Sequence, residues 1–145
     1  LNQIILSFKE ISKKKFIFNY DQDSNNKKIT KSIELVYGLR NFIGNANKFS
    51  KNGVFINLKS DSEITEIIIE DDGNGYPRDV LSKIGEPYLK SNDPIEKSKT
   101  GLGLGLFIGK TLLEKNFATI NCRNSKTRTG AEVIVKWNNK DLFNI

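Results

Sequence analysis

The 145-residue sequence has no histidine and no methionine, and only one cysteine, one tryptophan and three prolines. Without histidine the common zinc ligand sets are unavailable, and histidine general-base chemistry within the chain is excluded. A lone Cys122 rules out an internal disulfide and a cysteine-based zinc cage. No apolar run approaches the roughly 18 residues that a membrane helix needs. No signal peptide is visible, because the N-terminus lacks a basic stretch followed by an apolar one. A chain that starts at Leu1 and holds no methionine is expected to be a piece of a longer protein. Arginine is scarce: Arg40, Arg78, Arg123 and Arg128 are all there is. The net charge of +6 comes from lysines spread along the chain, not clustered as a nucleic-acid face requires. Such a spread fits lysine- and asparagine-rich coding, or a polyanionic ligand; no nucleic-acid partner is expected.

Glycine is what the sequence does have, concentrated in "TGLGLGLFIGKT" from Thr100 to Thr111. The stretch reads like a phosphate-binding loop, yet the two common motifs fail on spacing. A P-loop ending in Gly109-Lys110-Thr111 needs glycine where Leu104 stands. A dinucleotide fingerprint begun at Gly101 or Gly103 ends on Leu106 or Ile108 instead of glycine. Neither frame follows an expected strand.

Apolar content of 37% and this length suit one globular domain. Apolar residues at Leu1, Ile4, Ile5, Phe8 and Ile11 predict a helix over 1–12. Phe16, Phe18 and Tyr20 alternate as in a strand. A long helix is expected from Thr30, its N-cap, to Phe49. Val54–Lys59 and Glu63–Glu70 read as a hairpin. Pro77 opens a short helix through Ile84. Glu86–Thr100 is a polar loop, Leu102–Lys115 a helix, and Ala118–Arg123 and Glu132–Trp137 are two final strands. This mixture of crossovers and hairpins predicts an α+β fold: a two-layer sandwich with a mixed sheet of about five strands on about three helices.

Three stretches carry candidate chemistry. In "RNFIGNANKFS", Asn41 and Asn45 share a helix face that Lys48 continues. Asparagine is a poor interior helix residue, but an amide oxygen suits Mg²⁺ and a lysine suits phosphate. The plainer reading is a solvated face. In "IIIEDDGNGYP" a strand runs into Asp71, Asp72, Gly73, Asn74 and Gly75. Asp-Gly and Asn-Gly are hairpin signals, yet a helix follows here. A carboxylate only accepts hydrogen bonds, so at a strand end it would take the amino group of adenine and repel the carbonyl of guanine. Third, Gly101, Gly103 and Gly105 precede a helix whose amides favour anions.

The three stretches together resemble the N, G1 and G2 boxes of the GHKL (Bergerat-fold) ATP-binding family: N-x-x-x-N-A over Asn41–Ala46, D-x-G-x-G over Asp71–Gly75 and G-x-G-L-G-L over Gly101–Leu106. Their order and separation resemble the catalytic domain of sensor histidine kinases. "EDDGNGYP", "IGEPYLKS" and "GLGLGLFIGKTLLE" are similar to the RegB/PrrB-like, redox-responsive subgroup. The likeness covers Thr30 to Asn138.

The resemblance implies that Asn45 holds Mg²⁺ bridging the phosphates of ATP. Asn41 lines the phosphate side, where related ATPases place a glutamate that activates water. Lys48 would contact phosphate, Phe49 would pack on adenine, and Asp71 would bind its amino group, with Gly73 and Gly75 leaving room. Gly101, Gly103 and Gly105, with Leu104 and Leu106 between and after them, would form the ATP lid. Segment 86–100 would be mobile and would order around the nucleotide. Lys110 would then be a solvated helix residue. The usual F-x-P-F box is replaced by Gly85-Glu86-Pro87-Tyr88, and Cys122 reads as an inert thiol.

The implied activity is phosphoryl transfer from Mg-ATP to a histidine on a separate dimerisation domain, with residues 1–12 as the connecting helix and 13–145 as the catalytic domain. The implied parent is homodimeric, acts on a response regulator and is anchored in the bacterial inner membrane. A nucleotide-binding interaction module without transfer, or another GHKL ATPase, are the competing readings.

Overall fold

Helix α2 (Ile33–Phe49) sets the architecture. Leu35, Gly38, Leu39, Phe42, Ile43 and Ala46 form its buried stripe, at the spacing that lines one side of a helix. Ser32 caps it: its side chain accepts from the Leu35 amide at 3.0 Å and satisfies one of the donors a helix start leaves unpaired. The cap is thus two residues later than expected. Thr30 falls outside residues 1–20, 32–81 and 102–142, which the computed structural model describes, the side chains of 102–104 excepted. At the other end Lys14 Nζ donates to the carbonyls of Asn47 and Ser50 at 2.6 and 2.7 Å, a cation where the helix dipole is negative.

Strand β1 (Lys15–Tyr20) lies parallel to β2 (Gly53–Ser60), with Phe16 opposite Val54. Parallel neighbours need a long connection, and α2 lies within it. From β2 the chain turns at Asp61, whose carboxylate accepts from the Glu63 and Ile64 amides, both at 2.7 Å. It returns antiparallel as β3 (Ile64–Asp71). Short helix α3 (Arg78–Leu81) begins after Pro77; its expected continuation to Ile84 lies outside the described residues. Helix α4 (Leu102–Lys115) has the expected bounds. Strands β4 (Thr119–Asn124) and β5 (Ala131–Asn138) complete a sheet of order β1-β2-β3-β5-β4. A last turn, α5 (Asn139–Leu142), had no counterpart in the sequence reading.

Strand alternation builds the core. Thr65, Ile67, Ile69 and Asp71 of β3, and Val133, Val135 and Trp137 of β5, are buried beneath the helices. On the opposite face Glu70 and Glu132 are cross-strand neighbours. Their like charges are answered by Arg128, 3.8 Å from Glu70, and Arg123, 3.0 Å from Glu132. Helix α1 (Asn2–Ile11) joins the core through Ile4 and Ile5. The result is the expected α+β sandwich, a five-stranded mixed sheet with α1, α2 and α4 packed on it.

The α2–α4 crossing is close. A Cβ on Gly38 would come within 2.7 Å of Leu113, and one on Gly109 within 3.0 Å of the Phe42 ring. Gly109 is therefore a packing residue inside α4. Lys110 beside it pairs with Glu114 at 3.6 Å, an ordinary i,i+4 surface pair.

Candidate functional site

Alternation along β3 makes its last residue, Asp71, point into the core side, where it is only 4% exposed. A buried carboxylate needs compensating donors. Asp71 Oδ1 accepts from the Gly73 amide at 2.9 Å and the Ala131 amide at 3.3 Å. The chain approaches so closely that a Cβ on Gly130 would overlap Asp71 itself. Gly73 is needed for a similar reason: its Cβ position is filled by the Phe49 carbonyl. Close packing of the chain, not room for a ligand, accounts for that glycine.

In front of Asp71 is a pocket walled by Phe42, Asn45, Ala46 and Phe49 of α2, by Gly75, Tyr76 and Pro77, and by Ala131 and Val133 of β5. Gly75 has φ +77°, a backbone region that favours glycine. Asn124 of β4 then grips the next residue, accepting from the Tyr76 amide at 2.6 Å and donating to its carbonyl at 3.0 Å. Burial pushes the Tyr76 hydroxyl well above the usual tyrosine range, helped by the nearby Cys122 thiol and Asp71 carboxylate. Burial likewise raises Cys122 to about 11, against the lowering effects of its hydrogen bond with Tyr76 and the charge of Lys110. That thiol is protonated at neutral pH and correspondingly unreactive.

Asn41 and Asn45 face α4 together. A Cβ on Gly105 would lie 3.6 Å from the amide atoms of both. Asn41 Nδ2 donates to the Tyr37 carbonyl at 2.8 Å. Asn45 Nδ2 has no partner, the only such buried side-chain atom among the described residues. Native proteins rarely bury an amide that way, and a ligand is one standard explanation. Lys48 is exposed at the rim, its ammonium 5.6 Å from the Phe49 ring centroid.

Asn45, Phe49, Asp71 and Gly75 thus line one pocket, with Asn41 and Gly105 adjoining Asn45. Gly103 and Leu104 lie in the first turn of α4, and Leu106 is buried. Gly101, segment 86–100 and Gly85–Tyr88 lie outside the described residues. Sequence reasoning missed Gly130, Ala131, Asn124 and Asp72. Asp72 accepts from the Lys51, Asn52 and Gly53 amides at 2.9, 3.0 and 3.1 Å. Burial would raise its carboxyl, but these amides outweigh it and hold it below the usual range.

No group of three or more His, Cys, Asp or Glu side chains capable of holding a metal occurs among the described residues. A divalent ion here would have the Asn45 amide oxygen as its protein ligand and the rest from ligand oxygens and water, whereas the unpartnered Nδ2 is a donor that suits a phosphate oxygen. Mg²⁺ favours that arrangement over an all-protein cage.

Residues 30–141 match the family described as histidine kinase-, DNA gyrase B-, and HSP90-like ATPase. The chain is 36% identical over 124 residues to the sensor histidine kinase RegB of Cereibacter sphaeroides, covering 75% of this chain and 27% of that protein. It is 30% identical over 125 residues to the sensor protein SrrB of Staphylococcus aureus, covering 85% and 20%. The chain therefore spans about a quarter of the length of these relatives. Among solved structures it is similar to the mycobacterial sensor histidine kinase MprB, with a TM-score of 0.75 at 21% identity over 94% of both chains. Full-length ShkA in complex with AMPPNP gives a TM-score of 0.71 at 21% identity, covering 94% of this chain and 28% of that one. At these identities the two structures establish the fold.

Proposed function

Because this chain belongs to the histidine kinase-, DNA gyrase B-, and HSP90-like ATPase family, we propose that it binds Mg-ATP and passes the γ-phosphoryl group to a histidine outside these 145 residues. The observation that carries the reading is one pocket lined both by the buried Asp71 carboxylate and by Asn45, whose buried Nδ2 has no partner among the described residues. Asp71 accepts from the adenine amino group, and Phe49 covers the ring. Asn45 would hold Mg²⁺, which would supply neutralisation of phosphate charge. Asn41 and Lys48 would serve the phosphates, with Gly103 and Gly105 at the start of α4 beside them; Gly101 lies outside the described residues. Catalysis of this kind is mostly positioning and charge neutralisation.

An amide at Asn41 cannot take a proton from water, which spares the phosphoryl group for a protein acceptor. The chain holds no histidine, so the acceptor sits on a separate dimerisation domain, with α1 as the connection. The parent is a homodimeric, inner-membrane sensor kinase acting on a response regulator. No described helix is long and apolar enough to cross a membrane, so the anchor lies elsewhere in that parent.

The test adds labelled ATP and Mg²⁺ to this chain together with the parent's histidine-bearing hairpin. Acid-labile, base-stable label on the hairpin is the expected result. Binding without label would leave a nucleotide-sensing module, and phosphate release without an acceptor would leave an ATPase.

A further inference from the structure

The pocket has two walls that belong to different parts of the chain. Asn45 and Phe49 stand on α2, whereas Asp71, Gly75 and Tyr76 stand on the end of β3 and the loop after it. A base is recognised only if the separation of these walls is fixed, because a carboxylate must meet an amino group at hydrogen-bond distance while the ring is covered from the side. One side chain that does not line the pocket ties the loop after β3 to the segment that follows α2. The Asp72 carboxylate turns away from the pocket and takes the consecutive amides of Lys51, Asn52 and Gly53, with Asn52 reaching both oxygens at 3.0 and 3.2 Å. Three successive N–H groups form a concave anion seat, and here the anion is the residue adjoining Asp71. Those amides begin two residues beyond Phe49, the end of α2. The contact is reinforced at both ends. Gly73 packs directly on the Phe49 carbonyl, and Thr129 Oγ1 donates to the Asp72 carbonyl at 3.2 Å.

We infer that Asp72 is a positioning residue for base selection: by seating its carboxylate on residues 51–53 it sets the distance from Asp71 to the α2 wall. The inference rests on the reading of Asp71 as the base acceptor and adds what holds that acceptor in register. Small displacements of a recognition group cost large factors in affinity, so the brace matters to adenine more than to phosphate, which is met at the far end of α2's polar face.

The readout is the ratio of Mg-ATP to Mg-GTP affinity, measured by competition on the 145-residue chain for wild type, Asp72→Ala, Asp72→Asn and Asp71→Asn. Partial unfolding scales both nucleotides equally and leaves the ratio alone, so a shift in the ratio separates positioning from stability. Asp72→Ala should lower the ratio about tenfold, mostly through ATP. Asp72→Asn keeps an acceptor oxygen for the same amides and should restore most of it. A wild-type ratio in Asp72→Ala, with Asp71→Asn collapsing it, overturns the inference while the base reading stands. An unchanged ratio in Asp71→Asn overturns the base reading, and the inference with it. Should Asp72→Ala fail to fold by circular dichroism, Asp72→Glu carries the test. Its extra methylene keeps the charge but displaces the wall, so a lowered ratio supports the inference and a wild-type ratio overturns it.

Discussion

The two ends of the pocket are built on opposite terms. At the Asp71 end each contact is already made within the chain: main-chain amides hold the carboxylate, Asn124 holds Tyr76, and Gly130 leaves no slack. Around Asn45 the buried Nδ2 has no partner among the described residues, and Gly105 opposite leaves room for a methyl group at ordinary contact distance. The first end is preorganised; the second is completed by whatever binds. Selectivity therefore belongs to the sheet, whose main-chain donors have little freedom to move, while charge handling belongs to the helix pair.

Removing the preorganised acceptor should do the most damage. Asp71→Ala is expected to weaken ATP on the order of a hundredfold and GTP much less, as calorimetry would show. Equal weakening of both nucleotides would erase the distinction between the ends.

Asn45→Leu probes the other end. It replaces an unsatisfied buried amide with an apolar group of similar size, so the empty protein should keep its stability or gain about 1 kcal/mol. Nucleotide should then lose its Mg²⁺-dependent affinity. Wild type should show a melting temperature raised by Mg-ATP, as ligand linkage requires; the variant should melt at or above wild type when empty and show little further rise. A destabilised empty variant would mean that the amide has a partner after all.

Gly38→Ala sharpens the contrast from a distance. The new methyl would meet Leu113 at 2.7 Å, which forces α4 outward at a cost of about 1–3 kcal/mol. Because α4 meets Asn41 and Asn45 through Gly105 and Gly109 and supplies no described residue to the wall around Asp71, the ATP-to-GTP ratio should survive while overall nucleotide affinity falls. Denaturant midpoints and competition binding report the two effects separately.

The smallest effect is alkaline. Cys122 is neutral in the fold up to about 11, against an ordinary value of 9.0. A group with a raised folded pKa gives stability that is fully present below the unfolded value and lost as pH climbs toward the folded one. Urea midpoints should therefore decline between these two values, and Cys122→Val should decline less. A variant as steep as wild type would assign the decline to Tyr76, whose hydroxyl is also raised.

Much of this was legible in the sequence because it is local. The α2 stripe, the alternation in β3 and the bounds of α4 are periodic patterns, and Asn41 and Asn45 meet Gly105 because four residues make one helical turn. The N-cap went astray because Thr30 and Ser32 offer the same chemistry two positions apart, and only the contact with Leu35 chooses. Asp72 escaped notice because its partners are backbone amides about 20 positions earlier in the chain. Gly130 and Ala131 serve Asp71 from 60 positions later. Main-chain donors have no side-chain signature, so a site assembled from them cannot be read from residue types. Asn124 looked like one more polar residue in an asparagine-rich chain.

The parallel pairing of β1 with β2 has a consequence for the order of assembly. The two strands meet only after α2 has been laid across them, and loop closure of that length is a slow, entropically costly step compared with closing the β2–β3 hairpin. α2 carries Asn41, Asn45 and Phe49, while the hairpin delivers Asp71. The half that chooses the base can therefore form early from near neighbours, whereas the half that meets the phosphates waits for the crossover. During refolding, nucleotide capture should lag behind hairpin formation and report the arrival of the native topology.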